Sequence, residues 1–180
     1  MAKIFLHINV SVDGFICDPS GQTDWRFADE EVQSYIDELL ESIDGMVFGR
    51  RAFDELAAYW PTAGDEVSVT QRRLMHELPK YVLTHRGGLT DWHNSYRLGS
   101  DPAAVRNIQC ERGLAVFAGA EATQAFLAAE ALDELRLIIN PALLGGGTRL
   151  FSSHGPRTDL RLCDTRTFGS GAAVLTYNIN

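Results

Sequence analysis

Short apolar runs alternate with amphipathic segments along most of this chain of 180 residues. The runs at 46–48, 80–84, 114–117 and 135–139 are mostly apolar or aromatic, as buried strands are. Before and between these runs, apolar residues recur at helical spacing. The pattern is clearest over residues 29–43, where acidic residues fill the first turn. This alternation predicts an α/β fold whose mixed, mainly parallel central sheet is covered by helices on both faces.

The two ends of the chain complete this predicted sheet. Residues 3–10 alternate like a strand, and the last residues alternate around Gly169-Ser170-Gly171 like a C-terminal β-hairpin. The sequence shows neither internal repeats nor a linker, so we expect one domain over residues 1–180. The remaining expected elements are helices at about 51–59, 68–78, 102–111 and 121–132, a loop at 15–28, hairpin strands at about 158–167 and 172–179, and an edge strand within 87–100.

Composition excludes several classes of protein. The net charge is −8 and no run of lysine or arginine is present, so general nucleic-acid binding is not expected. No apolar stretch approaches the length that crosses a membrane. Cys17, Cys110 and Cys163 are odd in number and widely spaced, which is typical of free thiols in a reducing compartment. We therefore expect a cytoplasmic protein.

Gly49-Arg50-Arg51-Ala52 follows the apolar run at 46–48 and opens a helical pattern. A glycine between strand and helix lets a phosphate group approach the N–H groups of the first helical turn, and the arginines add charge. Two further strand ends have a similar character, Leu83-Thr84-His85-Arg86 and Phe117-Ala118-Gly119-Ala120-Glu121. A single such turn is also common for structural reasons alone, but three together favour a nucleotide site.

Other chemistry finds less support. No G-x-G-x-x-G is present, and the glycine run at 145–147 lacks the lysine of a Walker loop. The five histidines never form a His-x-x-x-His pair, so no metal site is predicted, and a Ser-His-Asp hydrolase elbow is also missing. Glu30 and Asp13 are candidate proton-handling carboxylates, although a solvated helix start is the more common reason for Glu30 and a turn-forming role also explains Asp13. Trp25 fits either a packing anchor or a stacking surface.

Six motifs in order over nearly the whole chain resemble the dihydrofolate-reductase-like superfamily. The closer resemblance is to its stand-alone branch, grouped with the C-terminal reductase domain of the bifunctional riboflavin-biosynthesis deaminase-reductase. The motifs are Ser11-Val12-Asp13-Gly14-Phe15-Ile16, Asp24-Trp25, Gly49-Arg50-Arg51-Ala52-Phe53, Val82-Leu83-Thr84, Phe117-Ala118-Gly119-Ala120-Glu121 and Pro141-x-Leu143-Leu144-Gly145-x-Gly147-x-x-Leu150-Phe151.

The resemblance implies a three-layer α/β/α fold, a homodimer, NADPH as hydride donor, a small-molecule substrate, and neither nucleic-acid nor membrane partners. Catalytic roles fall on Glu30 and Asp13. The cofactor-binding residues that it implies are Gly14, Ile16, Gly49, Arg50, Arg51, Ala52, Leu83, Thr84, His85, Ala118, Gly119, Ala120, Glu121, Ala122 and Thr123. The implied substrate-binding residues are Asn9, Phe15, Trp25, Asn140 and Leu144.

The chain departs from the family pattern at three places. His7 stands where the riboflavin enzymes carry a lysine, their Asp-Asp-Pro segment is missing, and alanines flank Gly119 where two adjacent glycines are frequent. We hypothesise an NADPH-dependent reductase acting on a small pteridine- or aminopyrimidine-like heterocycle. The alternatives are a non-catalytic NADP-binding homodimer with a decayed reductase site, and a phosphate-binding transferase on a similar sheet.

Overall fold

An eight-stranded sheet forms the centre of the computed structural model, which describes residues 3–151 and 157–180. Four α-helices and two 3-10 turns surround it, and a two-stranded sheet lies beside it. The strands are β1 Lys3–Ser11, β2 Phe15–Cys17, β3 Gly45–Gly49, β4 Lys80–Leu83, β5 Ser95–Gly99, β6 Gly113–Phe117, β7 Glu134–Asn140, β8 Thr148–Arg149, β9 Leu160–Thr167 and β10 Ala173–Ile179. The helices are α1 Glu30–Glu41, α2 Arg50–Tyr59, α3 Val69–Glu77 and α4 Ala120–Ala128, with 3-10 turns at Trp60–Thr62 and Pro102–Asn107.

The strand order is β5-β4-β3-β6-β1-β7-β10-β9, and every pairing from β5 to β7 is parallel. The hairpin β9–β10 adds two antiparallel strands beyond β7. From β3 the chain moves outward to β4, whereas from β6 it moves in the other direction to β7. The order therefore reverses between β3 and β6, which makes their carboxyl ends a topological switch point, where α/β sheets bind ligands.

Two apolar cores lie on opposite faces of this sheet because alternate residues of the buried strands face opposite sides. Phe5 packs with residues of α1, α2 and α3, whereas Ile4 and Leu6 pack with Phe126 of α4. The arrangement confirms the predicted three-layer α/β/α fold with a C-terminal hairpin. Among the described residues, no helix is both long and apolar enough to span a membrane.

A buried lysine joins three segments at one edge of the sheet. Lys80 has no exposed surface, and its Nζ donates to the carbonyls of His76, Leu78 and His93 at 2.7–2.9 Å. These carbonyls belong to the end of α3, the turn after it and the segment before β5. The ring of Trp92 lies 4.8 Å from the same ammonium group. The cation therefore satisfies carbonyls that the helix end leaves open.

Three expectations about individual elements were wrong. The segment from Pro102 forms only a 3-10 turn ending at Asn107. Helix α4 stops at Ala128 and not near residue 132, because Glu130 adopts the left-handed backbone conformation with φ 50. The Ala131 N–H then donates to the Phe126 carbonyl and closes the helix end. The loop expected at 15–28 includes β2, which pairs with β8. Strands of three and two residues are too short to show periodicity.

Candidate nucleotide and substrate site

Two helices begin at the switch point, each preceded by a glycine. Gly49 is the N-cap of α2 and Gly119 the N-cap of α4, and neither helix start has a capping side chain. Strands β3 and β6 pair with Phe48 opposite Phe117, so the two helix starts follow neighbouring strand ends. The first-turn N–H groups of α2 and α4 are thus left for an anionic ligand, as the helix dipole favours.

Gly49 lies in close contact with the first turn of α4. A Cβ at position 49 would sit 3.0 Å from the Cβ of Ala122, whereas a Cβ at Gly119 would meet nothing within 4 Å. The missing side chain at Gly49 therefore lets the two helix starts converge, and the open surface at Gly119 leaves its backbone accessible. Ala118 and Thr123 are buried beneath this turn, with Thr123 Oγ1 donating to the Ala118 carbonyl at 3.4 Å. This arrangement fits a pyrophosphate.

The two arginines after Gly49 occupy different environments. Arg50 Nε donates to Asp54 at 2.7 Å and its Nη1 donates to the Gly88 carbonyl at 2.7 Å, so its guanidinium lies against the loop after β4. Arg51 is 89% exposed and pairs with Glu55 at 2.9 Å. It borders an open groove of about 560 Å³ whose other lining residues are Cys17, Asp18, Pro19, Ser20, Gly21, Gly147 and Thr148.

The loop after β4 is held by Arg97, which donates to the carbonyls of Thr84 and His85 at 3.3 and 3.2 Å. Thr84 is buried, and its Oγ1 accepts from the Arg86 N–H at 3.1 Å. His85 and Arg86 are exposed, and Leu83 is half-buried. The loop therefore presents basic side chains close to Arg50.

Asp13 anchors the glycine-rich loop that follows β7. Its carboxylate accepts from Ser11 Oγ at 2.6 Å, from the Gly145 N–H at 2.8 Å and from the Leu144 N–H at 3.2 Å. The Ser11 hydroxyl and these backbone N–H groups lower the pKa of Asp13 to about 2. Asp13 is thus an ionised hydrogen-bond acceptor that positions a loop and has no proton to donate. The catalytic role expected for it stays a prediction.

Two glycines of this region have structural reasons: a positive φ requires Gly14, and a close backbone contact requires Gly147. Gly14 adopts φ 88 and lets β1 turn into β2, where Phe15 is buried under the Arg149 guanidinium at 4.6 Å and Ile16 is half-buried. Gly147 adopts φ 116, and a Cβ there would collide with the Cys17 carbonyl. The run Gly145-Gly146-Gly147 therefore packs a loop against the segment after β2. The side chains of Ser11 and Arg149 hold this region together; the sequence analysis placed Ser11 in a motif without a role and did not assign Arg149.

Asn140 links the ends of β1 and β7 to the segment before α1. It is fully buried, donates from Nδ2 to Asn9 Oδ1 at 3.0 Å, and accepts at Oδ1 from the Phe27 N–H at 2.8 Å. Asn9 is half-buried. The structure therefore brings together Asn9 and Asn140, as expected, and adds Phe27, which the sequence analysis did not assign.

The acidic start of α1 divides into structural and unassigned carboxylates. Asp29 accepts from the Val32 N–H at 2.8 Å and from the Ser170 N–H at 2.7 Å, and Glu31 accepts from the Gly169 N–H. Both thus fix the turn of the C-terminal hairpin. Glu30 is exposed and has no hydrogen-bond partner within the described part of the chain. Its catalytic role stays a prediction.

Trp25 is half-buried, its Nε1 donates to the Gln22 carbonyl at 3.2 Å, and the Arg26 guanidinium lies 5.9 Å from its ring. Phe27, two residues after Trp25, is 42% exposed. With Asn9, Glu30 and the loop at 141–147, these aromatics form what we call the substrate side, at the carboxyl ends of β1 and β7. Since β1 adjoins β6, the substrate side lies next to the two helix starts.

Beneath the substrate side lies a buried histidine. His7 stacks between Tyr35 and Phe117 at centroid distances of 5.7 and 5.6 Å. Its Nε2 and the Tyr35 hydroxyl are buried without a partner in the described residues. Burial, and then the charge of Arg136, lower the pKa of His7 to about 3, so His7 is neutral at physiological pH.

The family model that describes the RibD C-terminal domain matches residues 2–174. The chain belongs to this family. It is therefore a RibD C-terminal-like chain of a reductase-type family. Within residues 3–151 and 157–180, no three His, Cys, Asp or Glu side chains cluster as a metal site would require.

Relatives of this RibD-C-type chain match it over nearly their whole length. The uncharacterized protein YyaP of Bacillus subtilis is 29% identical over 99% of this chain and 95% of its own, and the uncharacterized protein YwjB of the same organism is 27% identical over 96% and 95%. A putative riboflavin biosynthesis protein from Shewanella sp. PV-4 superposes with a TM-score of 0.75 at 21% identity, covering 100% of this chain and 99% of its own.

A second solved structure comes from a two-function protein. The diaminohydroxyphosphoribosylaminopyrimidine deaminase/5-amino-6-(5-phosphoribosylamino)uracil reductase of Thermotoga maritima superposes with a TM-score of 0.68 at 14% identity. The match covers 99% of this chain and 57% of the Thermotoga chain. At this identity the likeness shows the fold that the two proteins share.

Replacing Gly49 by alanine tests the close approach of the two helix starts. The added methyl group has to push against Ala122, so we expect the free energy of unfolding in urea to fall by about 1–3 kcal/mol. Gly119→Ala, with open space around the new Cβ, should change it by less than about 0.5 kcal/mol. Adding Ala122→Gly to the Gly49 variant should recover part of the loss. Equal stability of the two single variants would contradict the contact.

The neutral state of His7 gives a pH dependence of stability. The unfolded chain takes up a proton near pH 6.5 and the folded chain only near pH 3, so the unfolding free energy falls as the pH drops between them, by about 1.4 kcal/mol per pH unit. Urea unfolding of wild type and His7→Phe between pH 6.5 and about 5, above the range in which carboxylates such as Asp13 take up protons, should show this slope in wild type alone. His93→Gln, at an exposed histidine, should keep the slope. The same slope in His7→Phe would refute the assignment.

Proposed function

We propose that this chain is an NADPH-dependent reductase that transfers hydride to a small heterocyclic substrate. The observation that carries the proposal is the convergence of two helix starts without capping side chains, at Gly49 and Gly119, on a topological switch point. A pyrophosphate is the ligand chemistry that such paired helix starts accept best. Membership of the RibD C-terminal family, whose members are reductase-like, supports the same reaction class.

The proposed cofactor residues divide by the part of the dinucleotide that they would meet. The first turns of α2 and α4 would hold the pyrophosphate through the N–H groups of Arg50 to Ala52 and of Ala120 to Ala122. The loop after β4 contains Thr84, His85 and Arg86, and Arg50 lies against it. A ribose 2′-phosphate would find both charge and hydrogen-bond donors there. Arg51 would reach the phosphates from the open groove beside Cys17.

NADPH, when bound, supplies the hydride from C4 of its nicotinamide ring. The chain's own residues would orient the acceptor and handle the proton. The loop at 141–147, held by Asp13, and the aromatic rings of Trp25 and Phe27 would enclose the substrate ring and exclude water. Glu30 carries an exposed carboxylate at the start of α1 and is our candidate to relay a proton from solvent.

The proposed substrate is pteridine- or aminopyrimidine-like. A 5-amino-6-(5-phosphoribosylamino)uracil reductase or a dihydrofolate-reductase-like activity are the two specific forms of the proposal. The riboflavin enzymes have a positively charged lysine at the position of His7, which is neutral here. The missing charge favours a substrate without a phosphate group near this position. All three cysteines are free thiols, which supports a cytoplasmic setting for the activity.

Removing the arginines tests the cofactor assignment. Arg50→Ala should weaken NADPH binding by about tenfold with a smaller effect on NADH, because a charge-assisted contact to the 2′-phosphate is lost. Arg51→Ala should weaken the binding of both cofactors, because both carry the pyrophosphate. Isothermal titration calorimetry with both cofactors measures this difference. Arg73→Ala is the matched control, since Arg73 forms the same type of helical ion pair, with Glu77 at 3.0 Å on α3.

Equal losses for NADPH and NADH in Arg50→Ala would contradict recognition of the 2′-phosphate by this side chain. Tight NADPH binding without oxidation in the presence of pteridines, pyrimidines, quinones or lactones would instead support the non-catalytic NADP-binding homodimer. A preference for ATP over NADPH would support a phosphate-binding transferase.

We also propose a homodimer through the C-terminal hairpin. Leu160 and Leu162 are 40% and 51% exposed on β9, and they pair with half-buried Ile179 and Tyr177 on β10. We call these four residues the hairpin patch. Paired residues of an antiparallel ladder point to one side of the sheet, so the patch is continuous. A long edge strand with apolar side chains favours cover by a second copy, since a two-fold contact sets the same patch against itself.

A charge within the hairpin patch tests this dimer. We expect wild type to sediment as a dimer at micromolar concentration and Leu162→Asp to sediment as a monomer, because the carboxylate would be buried unpaired. Val69→Asp, at an equally apolar and 71% exposed position on α3, should leave the dimer intact. A monomeric wild type in analytical ultracentrifugation would overturn the proposal.

A further inference from the structure

Two backbone groups of known polarity determine how the Asn140 side chain is oriented. The Phe27 N–H can only donate, and it lies 2.8 Å from Asn140 Oδ1. The Ile138 carbonyl can only accept, and it lies 3.1 Å from Asn140 Nδ2. Reversing the amide would set donor against donor and acceptor against acceptor. The orientation of Asn140 therefore follows from the hydrogen-bond network.

Asn140 in turn orients Asn9. Its Nδ2 lies 3.0 Å from the Asn9 side chain, so Asn9 has to present its oxygen there and turn its own Nδ2 away. That Nδ2 has no partner among the residues that the structure describes, and it is not one of the solvent-shielded unpaired polar atoms. Asn9 is half-buried, whereas Asn140 is fully buried. The substrate side thus offers an accessible donor whose polarity is fixed from below.

We infer that Asn9 selects a substrate that presents a carbonyl oxygen as hydrogen-bond acceptor, and that Asn140 is the positioning residue that enforces this choice. The inference rests on the proposed function, because it assigns the substrate to the same side of the site. An oxo-substituted heterocycle satisfies the Asn9 N–H groups. An amino group at the same place sets two donors against each other and leaves both unpaired.

The test compares two ring systems of the same shape and opposite polarity. Lumazine carries two ring carbonyl oxygens, and 2,4-diaminopteridine carries amino groups in their place. Their dissociation constants are measured by fluorescence titration at neutral pH, without cofactor and again with saturating NADPH. The quantity of interest is the ratio of the two affinities in each variant, since Glu30 is unchanged in all variants and its effect on the ratio is common to them.

Substitutions at position 9 should change this ratio in a defined order. Asn9→Leu removes the donor, so the preference for lumazine should fall by about tenfold relative to wild type. Asn9→Asp keeps the shape and the bond from Asn140 but presents an acceptor, so the ratio should fall further and favour the diamine. Asn107→Asp, which adds the same charge at an exposed position near the amino ends of the strands, should leave the ratio unchanged.

A substitution at Asn140 distinguishes positioning from general stability. Asn140→Asp cannot donate to Asn9, so Asn9 would turn its own Nδ2 toward the new carboxylate and present its oxygen outward. The affinity ratio should then shift in the same direction as in Asn9→Asp, whereas mere loosening would weaken both probes equally. If Asn140→Asp fails to fold, the order wild type, Asn9→Leu, Asn9→Asp still decides the question.

An unchanged ratio in Asn9→Leu and Asn9→Asp overturns the inference, as does a ratio that rises. The outcome is separate from that of the proposed function. Failure to bind NADPH would reject the reductase while the probe ratio, measured without cofactor, still reports on Asn9. Normal NADPH binding with an unchanged ratio would reject the role of Asn9 alone.

Discussion

At Gly49 the backbone of β3 comes so close to α4 that a single methyl group would sit 3.0 Å from Ala122. Helices α2 and α4 lie on opposite faces of the sheet, yet their first turns meet here because the strand order reverses between β3 and β6. Both helix dipoles then aim at one region, and neither start is neutralised by a side-chain cap. The arginines, the loop after β4 and the substrate side are all arranged around this contact.

The substrate side, unlike the contact at Gly49, depends on hydrogen bonds rather than on packing. Asp13 holds the loop after β7 through two N–H groups, and Asn140 holds the segment before α1 through the Phe27 N–H. Both side chains lie where β1 and β7 end, so loops distant in sequence are fixed to the most buried part of the sheet. A rigid wall of this kind suits a ligand that has to be held in one orientation.

The strand ends and the helix starts were predictable because each is encoded in a few consecutive residues, as in Phe48-Gly49-Arg50. The pairing of Asn9 with Asn140 was not, since 131 residues separate them and only the register of β1 on β7 brings them together. Asp13 was noticed as a turn former or a proton carrier because it precedes a glycine, but the sequence could not show that its partners at 144 and 145 lie in another loop. Likewise, sequence could not show that Arg50 and Arg51, though adjacent, face different surroundings.

The chain has two lysines, and Lys80 is buried with its ammonium enclosed by carbonyls. Lys3 is therefore the one lysine side chain that an amine-reactive reagent can reach in the folded protein, with 48% of its surface exposed. It begins β1, whereas the candidate site lies at the carboxyl end of that strand, about 27 Å away for nine residues. A fluorophore or a solid support attached through lysine would thus sit at the far pole of the molecule and leave the site open.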